Sequence, residues 1–96
     1  MFVQIASYTS SNPEMLESAR REWLDATEGV AATHRRLLLR DRETPGRYVE
    51  LAVYRSYEDA MHNAMLPATA VLLGHAAHDA ERGVTVEHLD VVDGEL

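Results

Sequence analysis

The chain has 96 residues, 46% of them hydrophobic, a formal net charge of −7 and no cysteine. That length allows one core of modest size, read as a single domain over 1–96 whose stability self-association would supplement. The negative balance opposes binding to a phosphate backbone, which rests on cations, and the missing thiols exclude disulfides, thiolate metal sites and a cysteine nucleophile.

All nine basic residues are arginine, which also removes a Schiff-base lysine. The opening MFVQIASY has no basic n-region and no cleavage pattern, and no apolar run approaches a membrane span. A cytoplasmic protein with neither a nucleic-acid nor a membrane partner is therefore expected.

In chain order, Phe2 to Tyr8 is β-branched and aromatic and reads as a strand. A helix follows, with Asn12 as N-cap, Pro13 at its first position and Glu14 in its first turn. Leu16, Ala19, Trp23, Ala26 and Val30 recur on one face of it, and Gly29 is the expected stop. Thr33 to Glu43 and Arg47 to Arg55 read as a hairpin around TPGR, with Pro45 and Gly46 at the centre of a type II turn. Within its first arm, HRRLLLRDR reads as a charged edge strand. Ser56 caps a second helix that has Glu58 and Asp59 in its first turn. Pro67 breaks that helix and opens a further one over Ala68 to Arg82, ended by Gly83. Val84 to Val92 is the last strand.

The order β-α-β-β-α-β with a broken second helix predicts an α+β, ferredoxin-like sandwich: an antiparallel sheet with helices on one side. Strand alternation separates Val3, Ile5, Ser7, Val49, Leu51 and Val53 from Phe2, Gln4, Ala6, Tyr8, Tyr48, Glu50, Ala52 and Tyr54. The aliphatic set is expected beneath the helices. The tyrosine-bearing set is expected on an open face that a second copy would cover, making a homodimer joined sheet to sheet. Glu50, costly if buried alone, is expected to pair across that dimer with Arg36 or Arg40.

The element order together with YRSYEDAMHNAMLPATAVLLGHAAH resembles the antibiotic biosynthesis monooxygenase (ABM) family of dimeric α/β barrels. In that family a strand ending in an aromatic leads into a Ser-x-x-(Asp/Glu)-Ala helix start, a break near a Pro or Asp, and a helix carrying a His. The resemblance implies a small-molecule pocket between the sheet and its helices in each subunit. It also implies cofactor-independent oxygenation, or a related conversion, of an aromatic or polyketide-like metabolite. An electron-rich phenol or enol reduces O2 itself once deprotonated in a dry pocket, so the protein supplies a base, shape and exclusion of water. His75 falls close to the iron-ligating His of the family's haem-degrading members. Their Asn on the first strand and Trp on the broken helix correspond to Ser7 and about Ala64. The Trp and Arg that the polyketide oxygenases carry on their helical side find no match, since the only Trp, Trp23, lies on the first helix.

His75 and His62 are the candidate bases, because histidine titrates in the useful range. Ser7, Trp23, Tyr54, Met61, Asn63, Met65 and Leu72 are the candidate substrate-binding residues. Each has a plainer reading: His75 as a core-edge histidine, His62 and Asn63 as caps of the helix break, Trp23 as core. His78 reads as exposed. His75 and His78 three apart are too few ligands for zinc, so no metal and no cofactor is expected. Two other functions fit the same residues: a non-catalytic small-molecule binder or interaction dimer, and haem binding or degradation through His75.

Overall fold

The structure, a computed structural model, describes residues 1–70, 72 and 84–94. Its elements run β1 (Phe2–Thr9), α1 (Pro13–Ala26), β2 (Arg35–Arg40), β3 (Arg47–Tyr54), α2 (Tyr57–Ala64) and β4 (Thr85–Asp90). The strands form one antiparallel sheet in the order β2-β3-β1-β4. This is the expected ferredoxin-like α+β fold, with the arginine-rich β2 at an edge. Among the described residues no helix is long and apolar enough to cross a membrane.

The local signals act as their chemistry requires. The Asn12 side chain accepts from the Met15 N–H at 3.3 Å, with Pro13 opening α1, and the Ser56 hydroxyl accepts from the Asp59 N–H at 3.2 Å to open α2. Helix α1 ends earlier than its apolar spacing suggests. Thr27 is its C-cap, donating both its N–H (3.0 Å) and its hydroxyl (2.6 Å) to the Trp23 carbonyl. The buried stripe is thus Leu16, Ala19, Trp23 and Thr27, whereas Ala26 and Val30 are exposed and Gly29, at φ +80°, lies beyond the cap. Helix α2 stops at Met65, and Pro67 to Ala70 are helical again, as a break at proline demands.

The β2–β3 turn is type II. Arg47 N–H donates to the Thr44 carbonyl at 3.2 Å, and Gly46 carries the positive φ, +82°. Asp41 stabilises the same loop, accepting the Glu43 and Thr44 N–H groups at 2.8 and 3.0 Å, and these bonds hold its carboxyl below the usual carboxylate range.

Directly opposed residues share a face. Toward the helices lie the rows His88–Gln4–Ala52–Arg36 and Val86–Ala6–Glu50–Leu38, flanked by Asp90–Phe2–Tyr54 and Tyr8–Tyr48–Arg40. Away from them lie Leu89–Val3–Val53–Arg35, Glu87–Ile5–Leu51–Leu37 and Thr85–Ser7–Val49–Leu39. The face expectation is therefore reversed: the tyrosines sit under the helices and the aliphatic set faces away from them, open except at Val53, which is fully buried. Both faces are apolar, so hydrophobicity does not choose between them; shape does. Large rings at the ends of the helical face and alanines at its middle leave room for Leu16 and Trp23, whereas branched aliphatic side chains cover the other face. Phe2, Ala52, Tyr54 and Ala60 make the buried cluster beneath α2, with Phe2 edge-on to Tyr57 at 5.4 Å.

A Cβ at residue 46 would lie 3.1 Å from the Ser10 carbonyl oxygen, in a left-handed backbone. Gly46→Ala is expected to cost about 1–2 kcal/mol from the backbone alone. Urea unfolding will read this as a lower midpoint at unchanged m-value.

Candidate functional site

Between the helical face of the sheet and the helices is a cavity of about 130 Å³. Ala6 and Ala52 lie on its floor side, and Leu16 and Trp23 of α1 and Ala60, Asn63 and Ala64 of α2 close over it. Its size compares with the roughly 150 Å³ apolar cavities that take benzene.

Among the described residues, three charged side chains interrupt the apolar wall. Arg36 Nη1 donates to Glu50 Oε1 at 3.0 Å, its Nη2 donates to the Tyr54 hydroxyl at 3.3 Å, and its guanidinium lies over the Trp23 ring at 4.3 Å. Arg20, from α1, brings its Nε to 3.6 Å from the same Glu50 oxygen. Glu50 is thus a nearly buried carboxylate between two cations, with a side chain 15% exposed. Burial acts most strongly on it and raises its carboxyl above the usual range; Arg36 and then Arg20 oppose that rise without cancelling it. Burial, and next the negative charge of Glu50, pushes the Tyr8 phenol up to about 12, so Tyr8 stays a neutral hydroxyl at physiological pH. Tyr8 stacks on Tyr48 with ring centroids 6.2 Å apart.

Glu50 and Arg36 pair within one chain, from diagonal positions on β3 and β2, rather than across a dimer.

A second polar link ties the lid together. Trp23 Nε1 donates to the Thr69 hydroxyl at 2.9 Å, which donates to the Asn63 carbonyl at 2.7 Å. The Asn63 amide accepts from the Ala32 N–H at 2.7 Å and donates to the Thr33 hydroxyl. Asn63 is thus both an anchor for the 31–33 loop and part of the cavity wall.

Of the sequence-predicted site residues, Trp23, Tyr54, Asn63 and Leu72 line the cavity. Ser7 does not, because strand parity puts it on the aliphatic face opposite Val49 and Thr85. Met61 packs against the Phe2–Tyr54 cluster, and Met65, past the end of α2, is 85% exposed. His62 is exposed and its Nε2 donates to the Val30 carbonyl at 2.9 Å; it does not line the cavity. His75 and His78 lie outside the described residues, and with them the haem and H-x-x-H readings. Among the described residues, no group of three or more His, Asp or Glu is placed to hold a metal.

Sequence reasoning missed Arg20 and Arg36 as wall residues and placed Glu50 on the wrong side. The available signals were Arg20 sitting one turn from both Leu16 and Trp23, and Glu50 two residues from Ala52 on one face.

No family model matches the chain, and no curated protein matches it. Solved structures do. An antibiotic biosynthesis monooxygenase superposes with a TM-score of 0.81 at 17% identity, over 97% of this chain and 100% of its own. A variant of SnoaB, a cofactor-independent oxygenase from Streptomyces nogalater, gives 0.82 at 15% identity, over 97% and 94%. Rv0793 from Mycobacterium tuberculosis gives 0.74 at 23% identity, over 97% and 96%. The chain has the fold of these proteins along nearly its whole length.

Proposed function

We propose that the protein is an ABM-type enzyme that oxygenates an aromatic, phenol-activated metabolite in the cavity, without a cofactor. The likeness to a cofactor-independent oxygenase supports the class. The observation that carries the reaction is Glu50: a carboxylate on the wall of an apolar hollow, raised by burial and flanked by two guanidinium groups. Glu50 takes the phenolic proton, and Arg36 and Arg20 offset the negative charge that moves onto the substrate. The electron-rich anion then reduces O2. An activated CH2 becomes C=O, the second oxygen atom leaves as water, and the substrate supplies all four electrons. Glu50 takes the role the sequence assigned to His75 or His62: the His62 ring is occupied elsewhere, and His75 lies outside the described residues.

Glu50→Gln is expected to lower kcat by about 10²- to 10⁴-fold, the usual contribution of a positioned base. The measurement is O2 uptake with ¹⁸O incorporation, on a panel of one- to three-ring phenols bearing an activated methylene. In the unmodified protein kcat/KM should fall on the acid side, because protonated Glu50 is inactive, and its midpoint should lie above the ordinary carboxylate range. Full activity in Glu50→Gln would remove the base. No uptake across a panel whose members bind would turn the reading to a binder.

We further propose that two copies associate through the aliphatic face. Leu37, Leu39 and Leu89 on it are 46%, 43% and 45% exposed, and burying such area gains roughly 25 cal/mol per Å². Light scattering should give twice the chain mass for the unmodified protein and the single mass for Leu39→Asp.

A further inference from the structure

The cavity's charge is opposite in sign to that of the chain. Among the described residues lining it, the side chains ionised at neutral pH are Arg20, Arg36 and Glu50, a local excess of one positive charge in a protein of net charge −7. Neither arginine's buried Nε makes a hydrogen bond: Arg20 Nε stops 3.6 Å from Glu50 Oε1, an ion pair longer than a hydrogen bond, and Arg36 donates to Glu50 and Tyr54 from Nη1 and Nη2 while its Nε donates to nothing. A guanidinium donor withdrawn from water with nothing to bond is costly, and a bound anion is the group that relieves the cost. Guanidinium geometry matches a carboxylate, and a single negative charge balances the excess, whereas a phosphate dianion would overshoot it. Leu16, Trp23, Leu38 and Val86 give the described wall an apolar stretch that fits a ring, beside the uncharged polar groups of Gln4, Tyr8, Asn63 and Thr69.

We infer that the ligand of this cavity is a compact aromatic carboxylate, its anionic group held by Arg36 and Arg20 and its ring packed against Trp23. This rests on the reading of the cavity as the substrate site and adds the substrate's charge to it.

Binding is read without turnover from the fluorescence of Trp23, the only tryptophan, which is 3% exposed and lies under the Arg36 guanidinium. Benzoate and its neutral isostere benzamide are the probes. Benzoate is expected to bind about tenfold tighter or more, as hydrogen bonds to a buried charge require. Glu50→Gln removes the competing carboxylate and should widen that preference. Arg36→Met should abolish it, and Arg20→Gln, at a position with a 27% exposed side chain, should narrow it. If Arg36→Met fails to fold, the opposed shifts in Glu50→Gln and Arg20→Gln decide.

Equal affinity for the two probes, or a preference that shrinks in Glu50→Gln, overturns the inference. Since O2 uptake is measured separately, loss of turnover in Glu50→Gln without benzoate selectivity would leave the oxygenase reading standing and the anion inference overturned. Benzoate selectivity without such loss would do the reverse.

Discussion

A guanidinium can sit inside this protein only because three groups, two on β3 and one on α1, share it. Arg36 donates to Glu50 and Tyr54 on β3 and lies over the Trp23 ring of α1. Each contact compensates part of the desolvation that a buried cation incurs. The arrangement joins the edge strand to its neighbour and joins the sheet to the helix above it. Arg20 then reaches the same carboxylate from α1, so one ion cluster ties the floor of the cavity to its lid.

The hollow itself follows from side-chain size. Ala6 and Ala52 are diagonal neighbours on the central strands, and Ala60 faces them from α2. Aromatic rings stand on either side, and Leu16, Trp23 and Asn63 close over the space between them. The lid is held there by hydrogen bonds and not by packing alone: Trp23 to Thr69 to Asn63, and Asn63 on to the 31–33 loop. Because Trp23 belongs to both the ion cluster and this chain of bonds, a ligand that moves the indole is felt at both ends of the cavity.

What was legible in the sequence was what depends on neighbouring residues. The caps Asn12 and Ser56, the break at Pro67 and the Pro45–Gly46 turn are set by backbone chemistry within four residues, and each stands where it was expected. The end of α1 was less so, since Val30 continues the apolar spacing while the Thr27 hydroxyl bonds back to Trp23 and closes the helix first. The choice of sheet face was not legible from hydropathy, because Val49, Leu51 and Val53 look more like a core than Tyr48, Glu50 and Ala52. With the aliphatic face taken as the one beneath the helices, Ser7 was placed in the cavity and the arginines were left outside it. The hairpin did contain the correction: the turn sets Leu38 opposite Glu50 and Arg36 opposite Ala52, which places Arg36 and Glu50 diagonally on one face.

Strands apolar on both faces lose the alternation by which a half-buried sheet is recognised, and such strands invite a slip of one residue that exchanges the two faces. Here the two sets are not interchangeable. A slip of β3 by one position would carry Glu50 away from Arg36 and Arg20 onto the aliphatic side, and would push Leu51 and Val49 into a hollow shaped by alanines. The charged cluster therefore acts as a register key. It is expensive to bury, but only one pairing of β2 with β3 lets its charges meet, and that pairing is the one that opens the cavity.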